Sequence, residues 1–207
     1  TSLKTGTHNV FVGKEAGQNV RDQSYITHIG SNAGRYASGS NNTFMGYEAG
    51  KGGTTSAPYS SGQYGTAVGY QAGYSFTTTS VTAFGYQAAY TSTTGGGVHI
   101  GYRAGYSQTS GGGNTSVGNG ALYSNQENVY NVAIGDSALY SLAGSSLDGN
   151  VAIGYEAGKN AQVDTGTIMI GYRAGKVQLG HSTISIGYEA ALNARGGNLV
   201  AIGRDAA

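Results

Sequence analysis

With 207 residues and a net charge of +1, the chain is long enough for one or two ordinary domains and has no electrostatic hold on nucleic acid; no Lys/Arg run supplies a local one. Its 38 glycines and 17 tyrosines, with one proline, no tryptophan and no cysteine, exclude an ordinary globule, a disulfide framework and a thiolate zinc site. Apolar runs reach only four or five residues, so no membrane-spanning helix is expected, and the opening "TSLKTGTHNV" does not read as a secretory leader.

The first predicted element is the short strand in "NVFVG", ending at Gly13. The same phrase returns along the chain, ending at Gly30, Gly46, Gly69, Gly85, Gly101, Gly118, Gly135, Gly154, Gly171, Gly187 and Gly203. Nine of the eleven spacings between these anchors are 16 or 17 residues; those after Gly46 and Gly135 are 23 and 19. One residue before the anchor every unit has a large apolar side chain, from Val12 to Ile202. Three before it every unit has a β-branched one, from Val10 to Val200, and three after it every unit has alanine, from Ala16 to Ala206. Positions minus three and minus one share a face only in a strand. Each unit therefore reads as strand, glycine corner, short second strand and polar return loop, with minus three, minus one and the alanine inside. The fold expected is all-β: one parallel β-roll or β-solenoid domain over 1–207, with about twelve coils stacked in register. Twelve turns at about 4.8 Å make a rod roughly 55 Å long.

Position minus two then faces outward. It holds Phe11, His28, Phe44, Ala67, Ala83, His99, Ser116, Ala133, Ala152, Met169, Ser185 and Ala201, none of them charged. A strand apolar on both faces is normally covered on both. That column, Ser116 and Ser185 apart, is the expected homotrimer interface. His28 and His99 would converge on a three-fold axis there, where a histidine packed between protomers is preferred to a metal site. The chain starts and ends within the repeat, so it is expected to be a segment of a longer fibre, docking on neighbouring segments at both ends.

The return loops come next in each unit. The one after Gly46, "KGGTTSAPYSSGQYG", is enlarged and holds Lys51, Pro58, Tyr59 and Tyr64, the candidate receptor-contacting loop. "SLAGSSLDGN" is the second enlargement. Tyrosines recur one after the anchor (Tyr47, Tyr70, Tyr86, Tyr102, Tyr155, Tyr172, Tyr188) and five after it (Tyr74, Tyr90, Tyr106, Tyr123, Tyr140). Stacking turns both columns into aromatic ladders, the second being an alternative sugar-stacking surface. Regular ladders suit structure better than one local pocket. Two after the anchor stand polar residues, with Glu156, Arg173 and Glu189 alternating in sign as a solvent edge with weak cross-coil pairs.

Units such as "NNTFMGYEAG", "NTSVGNGALYSN" and "GNVAIGYEAG" resemble the head repeats of trimeric autotransporter adhesins, and still more the repeats of phage tail fibres and tailspikes. The resemblance runs from Val10 to Ala207 and implies a trimeric, left-handed parallel β-roll on an extracellular attachment device. Autotransporter heads usually have shorter coils, which favours the virion tail fibre over the bacterial surface adhesin. The partners so implied are two further copies and a host surface glycan or protein. No catalytic residue, cofactor, metal, nucleic acid or membrane insertion is expected: His8, His28, His99 and His181 have no fixed carboxylate and serine companions. An ice-binding solenoid is set aside because its threonine array should be exposed, and here the threonines of position minus three are taken to point inward.

Overall fold

A computed structural model of the protein describes residues 5–52, 61–75, 77, 79–93, 95–125, 127–142, 147–163, 165–177, 179–180 and 182–206. Twelve three-residue strands form one parallel sheet. They are β1 (Val10–Val12), β2 (Thr27–Ile29), β3 (Thr43–Met45), β4 (Thr66–Val68), β5 (Thr82–Phe84) and β6 (Val98–Ile100). The others are β7 (Thr115–Val117), β8 (Val132–Ile134), β9 (Val151–Ile153), β11 (Ile168–Ile170), β13 (Ile184–Ile186) and β14 (Val200–Ile202). β10 (Gln162–Val163) and β12 (Leu179–Gly180) form a separate parallel pair. Sheet order is chain order, and register is in step throughout: Val10 pairs with Thr27, Ala133 with Ala152, Ile186 with Ile202. The β-solenoid expected from the repeat is thus present, and the described residues contain no helix.

The corner after each strand is not the second strand the sequence suggests. Every residue two after the anchor takes the left-handed region, from Glu15 (φ 56) to Asp205 (φ 53). Among the described residues the one four after it does so again, as at Gly17, Gly34, Leu122 and Leu139. Two left-handed residues so close turn the chain instead of extending it. The corner's hydrogen bonds run both between coils and within one: Gly46 N–H donates to the Ile29 carbonyl (2.7 Å) and Gly34 N–H to the Ala49 carbonyl (2.9 Å) of neighbouring coils, while Ala37 N–H donates to the Gly34 carbonyl (3.1 Å) of its own.

The strands alternate with period two as expected, but in the opposite phase. Position minus two points into the coil: His28, Phe44, Ala83, His99, Ala133, Ala152 and Met169 are fully buried within one chain, Ala67 and Ala201 nearly so, and Phe11 is half-buried. These residues line the protomer's own core and cannot be a surface between protomers. Positions minus three and minus one point out instead, with Val12 55%, Phe84 52%, Val200 63% and Ile202 65% exposed.

The reason is volume. The alanine three after the anchor closes the floor of a narrow interior, and the strand's inward residue is matched to the residue six further on. Phe11, His28, Phe44 and His99 stand opposite Gly17, Gly34, Gly50 and Gly105, where any added Cβ would run into the ring. Small Ser116 and Ala133 are matched by buried Leu122 and Leu139. In these coils the two positions trade volume, as close packing requires; at Ala152 and Gly158 both are small, and Leu139 and Met169 of the neighbouring coils reach in beside Gly158 instead.

Asparagine holds the corner before the strand, a role not foreseen from the sequence. Buried Asn42, Asn114, Asn131 and Asn150 each accept, on Oδ1, the backbone N–H of Gly65, Asn131, Asn150 and Thr167 in the next coil, all at 2.8 Å. The signal was available: asparagine recurs four before the anchor, at Asn9, Asn42, Asn114, Asn131 and Asn150.

Candidate functional site

The strand face that looks outward is the largest candidate surface. Its two columns are mixed β-branched residues at minus three and aliphatic or aromatic ones at minus one, with no charge in either. Twelve rows at about 4.8 Å, two side chains wide, make a strip of roughly 500 Å² in plan. Single exposed apolar side chains need no explanation, whereas a contiguous strip is a candidate interaction surface.

Beside it runs the first tyrosine ladder. Tyr47, Tyr70, Tyr86 and Tyr102 stack with centroids 5.1–5.3 Å apart, and Tyr155, Tyr172 and Tyr188 at 5.0–5.2 Å. These rings are 37–49% exposed. The second ladder, Tyr74–Tyr90–Tyr106–Tyr123–Tyr140, is half-buried and stacks at 4.8–5.1 Å. Both ladders form as the sequence predicts. Their geometry works against sugar stacking, since neighbouring rings cover the π-faces and leave only edges to solvent. Arg103 adds to this by covering both Tyr102 and Tyr106, 5.3 Å from each centroid.

The polar column two after the anchor is not a solvent edge. Glu48, Gln87 and Glu156 are buried. Arg103 Nε donates to Gln87 Oε1 (3.0 Å), Gln87 Nε2 to Gln71 Oε1 (2.8 Å) and Gln71 Nε2 to Glu48 Oε2 (2.8 Å), a directed chain from cation to anion. The alternating charges do pair: Glu156 meets Arg173 at 3.1 Å, and Arg173 meets Glu189 at 3.3 Å. Hydrogen bonds from Lys159 and Lys176 hold the Glu156 carboxyl down at about 2.

Of the candidate receptor loop, Pro58 and Tyr59 lie outside the described residues. Lys51 is half-buried and committed, with Nζ 2.6 Å from Glu48 Oε1 and 3.3 Å from the Tyr74 hydroxyl. Tyr64 is 61% exposed. It belongs to a column five before the anchor that sequence reasoning did not single out, whose twelve residues all have positive φ, from His8 (φ 59) to Asn198 (φ 58). Glycine, serine and asparagine fill most of it, yet Tyr25 (φ 61), Tyr64 (φ 57) and Tyr130 (φ 57) stand there too, at 62%, 61% and 71% exposure.

The two described strand histidines do not meet on an axis. His28 is sandwiched by Phe44 (4.8 Å) and Phe11 (5.5 Å), and neither of its nitrogens has a partner among the described residues. His99 Nδ1 lies 2.8 Å from Ser116 Oγ. Burial pushes their pKa values down to about 3 and about 4. The unfolded chain, with histidine near 6.5, therefore binds more protons, and stability is complete above that value and falls as pH drops toward 4 and 3. Between pH 7.5 and 5 the loss should be about 4 kcal/mol, read as a fall in unfolding midpoint, before the Glu156 carboxyl begins to protonate. In the double variant His28→Phe, His99→Leu that slope should be largely gone; an unchanged slope would assign it to other groups.

Comparison with protein-family models, with curated proteins and with solved structures gives no match.

Proposed function

We propose that this chain is a rod-like segment of a fibrous attachment protein, assembled from three copies and carried on a phage tail fibre, where it contacts a host surface glycan or protein. The observation that supports this best is the uncharged apolar strip along the outward strand face. The strip faces solvent in a single chain, and the simplest cover is the same strip on further copies, since every row offers an apolar residue at minus one and an uncharged β-branched one at minus three. The interface thus moves from position minus two to positions minus three and minus one. The number three and the viral setting rest on the resemblance of units such as "GNVAIGYEAG" to tail-fibre repeats, with a bacterial surface adhesin the alternative. Sedimentation equilibrium at micromolar concentration should give three times 21.0 kDa. A single 21.0 kDa species would remove the assembly.

A specific observation also revives ice binding. Thr27, Thr43, Thr66, Thr82 and Thr115 point outward, not inward, on a regular sheet, and the four from β2–β5 occupy successive rows. The neighbouring column answers with Ile29, Met45, Val68 and Phe84 rather than with threonine, so attachment remains the better reading. Thermal hysteresis in a freezing assay would reverse that order.

A further inference from the structure

We propose that the column five before the anchor is a binding track for a linear, uncharged saccharide chain lying along the rod. This deepens the attachment reading and rests on it. The track is built from His8, Tyr25, Asn41, Tyr64 and Ser80, in five successive coils, with Tyr130 further along.

Its tyrosines are exposed, and none is sandwiched between two other rings among the described residues. Twelve of the chain's 17 tyrosines belong to the two ladders, whose inner rings are covered on both faces by their neighbours. Tyr64 and Tyr130 stack on no other ring among the described residues, and Tyr25 stacks on one side only, against His8 at 5.1 Å. Tyr64 has Asn41 before it and Ser80 after it, both exposed and with no side-chain hydrogen bond among the described residues. Tyr130 lies over Gly113, and its other neighbour in the column, Gly149, has open space where a side chain would stand. A pyranose has an apolar C–H face and a rim of hydroxyls. An exposed aromatic ring with an amide and a hydroxyl beside it, as at Tyr64, complements both.

The same tyrosines hold a left-handed backbone without being buried. A bulky residue with positive φ is a backbone outlier, and glycine or asparagine would relieve it. Tyr64 and Tyr130 stay in that conformation while presenting their rings to water. Such outliers point toward function. The backbone beneath is fixed from coil to coil: Tyr25 N–H donates to the Thr7 carbonyl and Tyr130 N–H to the Gly112 carbonyl, each at 3.1 Å.

Spacing and charge select the ligand. Tyr25 and Tyr64 stand two coils apart, about 10 Å, and Tyr64 and Tyr130 four coils apart, about 19 Å. The axial length of a sugar unit in an extended chain is close to one coil rise, so these platforms meet whole sugar units of a straight polymer. The column carries no Lys, Arg, Asp or Glu, which fits an uncharged saccharide.

The test is an array of linear neutral oligosaccharides of hexoses and N-acetylhexosamines, probed with the whole chain and with Tyr64→Asn. The wild type should retain at least one of them, and Tyr64→Asn should weaken that binding by roughly tenfold. Its melting temperature should hold or rise, because asparagine is at ease with positive φ. Loss of binding with retained stability is an outcome that a packing role would not give. The inference is overturned if no oligosaccharide is retained, if Tyr64→Asn binds as the wild type does, or if Tyr64→Asn lowers the melting temperature or breaks the assembly. A single 21.0 kDa chain that still binds through Tyr64 would leave the track standing and remove the trimer; a trimer that binds no saccharide would remove the track alone.

Discussion

Gly135→Ala is expected to lower stability by about 4 kcal/mol, a large effect for a single added methyl group and one expected at the equivalently packed anchors too. Two separate causes act there. The backbone has φ +134, a region essentially closed to residues with a Cβ. The new methyl would also collide with the peptide of the next anchor, its centre 2.7 Å from the Gly154 carbonyl carbon. Two other glycines separate these causes. Gly203 has φ +128 and nothing within 4 Å, so Gly203→Ala should show the backbone cost without the collision, about 2 kcal/mol. Gly149 has φ +65 and the same open space, so Gly149→Ala should cost about 1 kcal/mol. Urea unfolding of the three variants gives the order directly. If Gly135→Ala proves no worse than Gly203→Ala, close approach between successive corners is not what reserves the anchor for glycine.

The second large effect concerns assembly. Ile134 and Ile153 are neighbours in register on the outward face, 38% and 36% exposed in a single chain. The double variant Ile134→Lys, Ile153→Lys should sediment as a single chain at concentrations where the wild type is assembled, because lysine ammonium groups would be buried against apolar neighbours without partners. Its circular dichroism should be unchanged, since surface substitutions away from the core stay within about 0.5 kcal/mol. Asn193→Lys, at an exposed site off the strip, should leave the mass alone. If the double variant keeps the wild-type mass, the strip is not the contact between copies.

The spacing of the glycine anchors, the parallel register and both tyrosine ladders were legible because each repeats at one position per coil, and a stack turns such a repeat into a contact. The phase of the strands was not. With apolar residues at minus three, minus two and minus one, alternation alone leaves the inward side undecided, and a one-residue shift exchanges the faces. What points to it is a pairing within some of the coils: Phe11 with Gly17, His28 with Gly34 and Phe44 with Gly50, but Ser116 with Leu122 and Ala133 with Leu139. A large inward residue goes with glycine six residues later and, in these two coils, a small one with leucine; pairs such as Ala67 with Gly73 and Ala152 with Gly158 carry no such signal. The tyrosine track stayed hidden for another reason. Its left-handed backbone is foreseeable from Gly96, Gly113, Gly149 and Gly166, but Tyr25, Tyr64 and Tyr130 carry no signal for positive φ. Lys51 read as a loop cation, and its partners Glu48 and Tyr74 come from the corner and from the next coil.

Core, interface and binding track all depend on which side of the strands is hidden, and thiol labelling measures that directly, since the chain has no cysteine of its own. Ser116→Cys places a thiol in the interior column, and Ile134→Cys places one on the outward strip. The Ser116→Cys thiol should resist a maleimide at every concentration until the chain is unfolded. The Ile134→Cys thiol should react readily in dilute single chains and become protected as the concentration rises and copies associate. A fast-reacting Ser116→Cys, or an Ile134→Cys that is shielded even in single chains, would contradict the assignment of the two faces and the interface built on it.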